Sequence, residues 1–170
     1  MHDQTGIPDR IHPDLEEFLK YWRSRKEARD IPARRNIDPQ DIPHLLRGIC
    51  ILEINYDGED IERVKFRLAG TQLYEMAGKE LTGSYVDEVV PPDIYPEIAT
   101  QFQWIVENRQ PCFRRFQWRH GPLPKITYER VMAPIASDND DCIQQLIGMH
   151  VISSNRNILK SPIAAQIPVG

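Results

Sequence analysis

The chain has 170 residues, of which 41% are hydrophobic and 27% are charged, and its formal net charge is −4. This length is enough for one domain with a self-sufficient hydrophobic core, and the composition excludes a disordered chain. No apolar run reaches the roughly 18–20 residues of a membrane-spanning helix, the start of the chain lacks the pattern of a signal peptide, and the acidic balance disfavours binding to nucleic acid or anionic lipid. We therefore expect a cytoplasmic protein with no membrane partner and no nucleic-acid partner.

The first predicted element is an amphipathic helix from Asp14 to Arg29. Its apolar residues follow the i, i+3, i+4, i+7 spacing of one helix face: Leu15, Phe18, Leu19 and Trp22. The helix should end before Ile31-Pro32, because the residue before a proline avoids the helical conformation. In the proline-rich connector that follows, Asp38-Pro39 indicates one helical turn that is capped by Asp38.

A run of basic side chains lies within this region. The segment from Lys20 to Arg35 carries a net charge of +5, which leaves −9 for the remainder. Such a run is most often the solvated face of a surface helix, and the alternative is a docking site for an acidic protein partner. Nucleic acid is disfavoured because only Tyr21 and Trp22 supply aromatic rings among these basic residues.

From residue 48 the hydrophobic pattern changes from the helical to the strand period. Predicted strands cover 48–54, 61–68, 112–119, 125–136 and 143–152, and predicted helices cover 71–79 and 95–108. The turn signal Asn55-Tyr56-Asp57-Gly58 joins the first two strands into a hairpin. Gly70 should end the second strand, the Thr71 hydroxyl should cap the next helix, and Gly78 or Gly83 should close it.

Consecutive strands joined by hairpin-length turns pair antiparallel, which excludes a parallel α/β sheet. The expected fold class is therefore α+β, with a five-stranded antiparallel sheet, helices on one face and the N-terminal amphipathic helix. The second face of the sheet is left for that helix or for a partner. Because this face is an available dimerisation surface, we expect a homodimer built partly on the helix from Asp14 to Arg29.

Four short motifs occur in a characteristic order along the chain. They are Tyr21-Trp22, Pro32-Ala33-Arg34, Arg67-Leu68-Ala69-Gly70-Thr71 and Leu81-Thr82-Gly83. With Asp38-Pro39 and the strand from Glu129 to Pro134, they resemble a bacterial family of small, single-domain PAS-like proteins whose molecular role is not established. The resemblance covers most of residues 15–155, and it implies a PAS fold and hence a sensory or interaction module.

The resulting organisation has four parts. Residues 1–12 are predicted to be a flexible tail, 13–46 the N-terminal helix and connector, 47–155 the PAS-like domain, and 156–170 a C-terminal tail. From this organisation we expect no attached kinase, cyclase or DNA-binding domain. We therefore expect any signal to leave through dimer geometry or a separate signalling protein.

A PAS-type domain that binds a small molecule holds it between the inner face of the sheet and the central helices. The spacing predicts an apolar lining from Leu73, Met76, Phe102, Ile105, Phe116, Trp118, Val131 and Met149. The alternative is that these side chains fill the core and leave no cavity. His150 could be a buried polar group in the same space, or a hydrogen-bonded core or surface residue.

Arg67 lies within an apolar strand, and its guanidinium cannot be neutralised. It must therefore pair with a carboxylate, reach solvent or hold a bound anion. An ion pair with Glu129 or another acid is favoured over a ligand clamp.

No cofactor is predicted. Haem is disfavoured because residues 95–108 contain no histidine, and a covalent flavin is disfavoured because no cysteine lies near Thr71-Gln72-Leu73. The cysteines Cys50, Cys112 and Cys142 lack zinc-type spacing, and the acidic turn Asp138-Asn139-Asp140-Asp141 lacks the remainder of a calcium loop, so no metal is expected. An unidentified small ligand remains compatible with the sequence.

The sequence favours a non-catalytic module in bacterial signalling that binds a small ligand or a protein. It contains none of the common phosphate-binding, dinucleotide, zinc-protease or serine-hydrolase motifs. The alternative is a small lyase or isomerase with a site between the sheet and the helices. Such an enzyme would use Arg67, Tyr74, Glu129 and His150, and at least two of these groups would have to meet in one cavity.

Overall fold

The computed structural model describes residues 5–118 and 126–152. The helices are α1 (Pro13–Ser24), α2 (Thr71–Ala77), α3 (Val86–Val89) and α4 (Tyr95–Asn108), and the strands are β1 (Ile49–Asp57), β2 (Asp60–Ala69), β3 (Cys112–Trp118), β4 (Ile126–Ala136) and β5 (Ile143–Ile152). Three short 3-10 helices, Arg34–Asn36, Pro39–Asp41 and Pro43–Gly48, occupy the connector between α1 and β1. The predicted C-terminal tail, 156–170, lies outside the described residues.

The strands form one antiparallel sheet in the order β2-β1-β5-β4-β3. This confirms the predicted α+β fold and the β1–β2 hairpin. Pairing of β1 with β5 joins the first hairpin to the last strands. Helices α2, α3 and α4 lie on one face of the sheet, and α3 was not predicted because four residues are too few to show a helical period.

Helix α1 ends at Ser24, earlier than the predicted end at Arg29. The Ser24 hydroxyl donates to the Tyr21 carbonyl oxygen at 2.6 Å, and the Arg25 N–H donates to the Trp22 carbonyl oxygen. Glu27 then adopts a left-handed backbone with φ of 53°. Side-chain competition for a helical carbonyl followed by a left-handed residue is a typical way to stop a helix.

The apolar side of α1 covers the second face of the sheet. Phe18 and Trp22 are fully buried, and the Trp22 Nε1–H donates to the Pro134 carbonyl oxygen of β4 at 2.9 Å. The alternative that the N-terminal helix covers this face is therefore confirmed, and the expectation that the face is available for a dimer contact was wrong. The homodimer stays a prediction, and α1 could contribute only its polar side to it.

Three arginines of the basic run bind acidic residues or carbonyl oxygens of the same chain. Arg29 donates to the carboxylate of Asp141 at 2.9 Å, Arg35 donates to the Asp138 carbonyl oxygen at 2.8 Å, and Arg25 pairs with Asp41 at 3.2 Å. These bonds tie the segment after α1 to the β4–β5 turn and to the connector. The predicted docking of an acidic partner therefore gains no support from the geometry.

The turn from β2 into α2 is closely packed against the connector. Gly70 has φ of −68°, which any residue can adopt. A Cβ on Gly70 would overlap the carbonyl oxygens of Leu46 and Arg47, and would lie 2.7 Å from the Arg47 carbonyl carbon. Gly70 is itself the N-cap, and Thr71 makes no capping bond, so that expectation was wrong; Gly78, with φ of 71°, closes α2 as one of the two predicted glycines.

Among the helices in the described ranges, the longest is α4 with 14 residues. None combines the length and the apolar character that crossing a membrane requires.

Candidate functional site

A cavity of about 90 Å³ lies between the inner face of the sheet and the helices α2, α3 and α4. A single water needs only about 10–15 Å³, so this space is several times larger than a packing defect that holds one water. Its apolar lining includes Leu52, Phe66, Leu73, Met76, Val86, Val89, Ile98, Phe102, Phe116 and Met132. The core is therefore not completely filled at this position, in contrast to the alternative that the sequence left open.

Three of the lining residues, Tyr128, Arg130 and His150, place polar groups at one side of the cavity. Arg130 of β4 is the direct partner of His150 on β5, and Tyr128 is two residues earlier on β4. Because alternate residues of a strand share a face, all three side chains point to the same side of the sheet. The Tyr128 ring stacks on Phe116 with centroids 5.1 Å apart and lies 6.2 Å from the His150 ring.

Arg130 is the buried charge of the site, with 5% of its surface exposed. Its Nη2–H donates to the Oε1 of Gln101 on α4, and its Cζ lies 5.0 Å from the Phe116 ring centroid. Within the part of the chain that the structure describes, no aspartate or glutamate forms an ion pair with it. Burial lowers the pKa of Arg130, as expected for a cation removed from water without a counter-anion.

Two hydrogen-bonding groups in this cluster are buried without a partner. They are the Nε of Arg130 and the Nε2 of Gln101. Both are N–H donors, and burying an unpaired donor costs free energy. Gln101 itself does not line the cavity, whereas Arg130 does, so Arg130 brings to the cavity a positive charge that no carboxylate of the described residues balances.

His150 is held in a neutral form. Its Nδ1 lies 3.2 Å from the Gly48 carbonyl oxygen, and since a carbonyl only accepts, Nδ1 carries the hydrogen. Burial, with a smaller contribution from the charge of Arg130, lowers the pKa of His150 to about 3. At neutral pH the imidazole adds no second positive charge beside Arg130.

We predict that His150 makes the fold acid-sensitive. Its pKa is about 3 in the folded chain and about 6.5 when unfolded, so the unfolded chain binds about one more proton between these values. The free energy of unfolding should therefore fall as pH falls from about 6.5 towards 4. Urea unfolding over this range should show a shallower decline in His150→Gln, because glutamine can still donate to Gly48 but does not titrate there.

The exposed histidine His44, bonded to Glu17 at 2.8 Å, supplies the control. His44→Gln leaves His150 in place, and should keep the part of the decline that His150 causes. An unchanged decline in His150→Gln would contradict this account of its environment.

The structure separates the residues that the sequence grouped as a ligand site. Leu73, Met76, Phe102, Phe116 and His150 line the cavity. The side chain of Trp118 lies outside the described part of the structure. The remaining residues, Ile105, Val131, Met149 and Arg67, do not line the cavity.

The predicted placement of Val131 and Met149 in the cavity lining was wrong because of the strand register. They are direct partners, one position along from the Arg130 and His150 pair, and so they lie on the opposite face. That face packs in the core, where both are buried. The sequence could not assign the inward face of β4 and β5, because both faces of these strands are apolar.

The favoured ion pair of Arg67 with Glu129 does not form, and Arg67 does not contact the cavity. A bulge between Ile51 and Leu52 makes Arg67 the extra residue of the edge strand β2, and its side chain is exposed. Glu129 binds Arg115 of the neighbouring strand instead, with Arg115 Nη2 at 2.6 Å from its Oε1. Arg67 therefore reaches solvent, which is one of the three outcomes allowed for it.

The arrangement weighed for a lyase or isomerase does not form. Arg67 is exposed, Tyr74 is 49% exposed, and Glu129 is bound to Arg115. Of those four residues, only His150 lines the cavity.

Sequence reasoning missed Arg130, Gln101 and Tyr128. A signal was present for Gln101, since it lies three residues after Ile98 and four before Ile105, on the apolar stripe of α4. A polar residue on such a stripe predicts a buried partner. Glu129 was considered as a site residue in place of its neighbour Arg130, because the strand pattern did not show which of the two points inwards.

The described residues hold no cluster of three or more histidine, cysteine or acidic side chains that could hold a metal ion. Cys50 lines the cavity, and burial raises the pKa of its thiol to about 12. Burial also raises the pKa of Cys112. Both thiols are therefore protonated at neutral pH and are not activated nucleophiles.

Comparison with known proteins gives one family match. The model of the PAS domain matches residues 10–150, which is more than half of the chain. A comparison with curated proteins finds no match.

Solved structures similar to this chain share little sequence with it. The PAS domain of a protein from Colwellia psychrerythraea is 15% identical, with a TM-score of 0.47 over 69% of this chain and 98% of that chain. A Rhodobacter sphaeroides LOV protein is 7% identical, with a TM-score of 0.46 over 73% of each chain. The light-state LOV domain of the blue-light photoreceptor Aureochrome1 is 9% identical, with a TM-score of 0.45 over 75% of this chain and 96% of that chain.

Proposed function

Because the chain belongs to the PAS domain family, we propose that it is a non-catalytic sensory module that binds a small molecule between its sheet and helices α2 to α4. The observation that carries this proposal is the cavity of about 90 Å³, with apolar walls and a polar cluster at one side. Small-molecule sites usually combine a largely apolar lining with a few fixed polar groups. A filled core would leave no such space beside a buried charge.

The size of the cavity favours a small ligand over a large cofactor. Sites for drug-sized molecules usually enclose about 300–1,000 Å³, well above the space available here. Helix α4 carries no histidine to bind haem iron. We therefore propose a ligand smaller than haem or flavin.

The signal is proposed to leave through α3. Val86 and Val89 of this helix line the cavity, so the ligand contacts it directly. On its outer side, Arg63 of β2 binds Asp87 at 2.7 Å and stacks on the Tyr85 ring at 3.5 Å. A change in the cavity would shift a helix whose outer contacts are exposed, where a separate signalling protein could detect it.

The proposal is tested by filling the cavity. Ala77 lines it at the end of α2, so Ala77→Leu should occupy much of the space and weaken binding of hexanoate and hexanamide by about tenfold or more. Titration calorimetry measures the affinities, and thermal unfolding verifies that the variant folds. Ala99→Leu adds the same side chain to α4 outside the cavity lining and should bind both probes as the original chain does. The proposal fails if neither probe binds the original chain, or if Ala77→Leu binds both unchanged.

A further inference from the structure

The charge on Arg130 is unusual because the chain does not balance it. Moving a guanidinium into the interior without a counter-anion is unfavourable, because the charge loses its hydration. Among residues 5–118 and 126–152, its hydrogen bond goes to the neutral amide of Gln101, and its guanidinium also lies near the rings of Phe116 and Phe102. A buried charge without a partner, in the lining of a cavity, is typical of a binding site for an ion of opposite charge.

We propose that the ligand is a small apolar acid whose single carboxylate binds the guanidinium of Arg130, with its apolar part against the helices. This inference rests on the proposed function and names the class of molecule that the cavity takes. Arg130 lines the cavity, and among the described residues its guanidinium has a hydrogen bond to the neutral Gln101 amide but no ion pair with a carboxylate. A carboxylate has two acceptor oxygens and can accept two N–H bonds from one guanidinium.

The charge balance selects a monoanion. Arg130 is the cationic side chain in the cavity lining, since His150 is neutral at pH 7. One buried positive charge balances one carboxylate, whereas a phosphate monoester with nearly two negative charges would leave the excess uncompensated. Tyr128 adds a hydroxyl that burial keeps protonated, because burial raises the pKa of Tyr128.

The rest of the lining selects an apolar body. Opposite the polar cluster, the walls come from Leu73 and Met76 of α2, Val86 and Val89 of α3, and Ile98 and Phe102 of α4. A sugar or amino acid would bury polar groups against these side chains without partners, which is unfavourable. A short aliphatic or simple aromatic acid satisfies both sides of the cavity.

The test compares two acids with their neutral amides. Calorimetry of the original chain with hexanoate, hexanamide, benzoate and benzamide should show tighter binding of each acid. Arg130→Met should weaken binding of the acids on the order of 10- to 100-fold, the range expected for hydrogen bonds to a charged group, while binding of the amides changes little. Arg130→Lys keeps the charge but loses the fork of donors and should fall between the two.

A matched control is Arg115→Met, which removes an exposed arginine of β3 that binds Glu129 outside the cavity lining. Its affinities should equal those of the original chain. Binding of the amides to Arg130→Met shows that the cavity is intact in that variant. Equal affinity of acid and amide, or unchanged binding of the acids by Arg130→Met, overturns the inference and leaves the proposed function standing. Failure of all four compounds to bind the original chain overturns both.

Discussion

Replacing Arg130 with methionine and Gln101 with leucine in one variant should raise the free energy of unfolding of the ligand-free chain by about 1–4 kcal/mol. The double variant lacks the unbalanced buried cation, the two unpaired buried donors and the one hydrogen bond between the two side chains. Their replacements are apolar, similar in length and compatible with a strand and a helix. Urea unfolding at pH 7 measures the change.

The single variant Gln101→Leu should have the opposite effect. It removes the hydrogen-bond acceptor of Arg130 and leaves the guanidinium buried with its charge, which should lower the free energy of unfolding by about 1–3 kcal/mol. Arg115→Met, at an exposed ion pair, should stay within about 0.5 kcal/mol of the original chain. A double variant less stable than the original would show that Arg130 stabilises the fold and is not retained for a ligand.

Gly70→Ala should lower the free energy of unfolding by about 3 kcal/mol, at the upper end of the effects of overpacking. The added methyl would overlap the backbone oxygens of Leu46 and Arg47, and backbone cannot move aside as a flexible side chain can. The Gly70 N–H also donates to the Ile49 carbonyl oxygen at 2.8 Å, which fixes the turn in place. Thermal and urea unfolding measure the loss.

Gly58 supplies the control for this prediction. It has a left-handed φ of 61°, but a Cβ there would meet no atom within 4 Å. Gly58→Ala should therefore cost only about 1 kcal/mol, the penalty of the left-handed backbone. If Gly58→Ala proved the more damaging of the two, backbone conformation rather than close packing would decide the role of glycine here.

Local patterns were enough to predict most of the fold. Helical spacing placed α1 and α4, and alternation with turn signals placed the strands, because these elements depend on near neighbours in the sequence. The 3-10 turn at Pro39–Asp41 also agrees with its prediction, with Asp38 accepting a hydrogen bond from the Gln40 N–H. The early end of α1 was missed because it depends on Ser24 and on the left-handed backbone of Glu27.

The candidate site was only partly predictable because it depends on register between distant strands. Arg130 and Val131 are adjacent, yet only Arg130 lines the cavity, and the pairing with β5 decides which. The bulge that turns Arg67 to solvent likewise depends on pairing with β1. Gln101 could have been predicted from the sequence, because a polar residue on an apolar helix stripe indicates a buried polar partner in the core.

Arg130 should have opposite effects on stability in the empty and in the occupied chain. A buried cation that the fold does not balance destabilises the empty chain, and a bound carboxylate would restore that loss. The empty and occupied forms would then differ in stability by an amount set by the ligand.

Native mass spectrometry of the protein purified from its own host, compared with the denatured mass of the same sample, tests the account most directly. If the cavity holds a ligand, the native mass should exceed the chain mass by that of one non-covalently bound small molecule per chain. That molecule should be lost on denaturation and should be detected as a monocarboxylic acid in negative-ion mode. Bare chains under native conditions, together with no binding of hexanoate or hexanamide, would contradict the claim that this cavity is a ligand site.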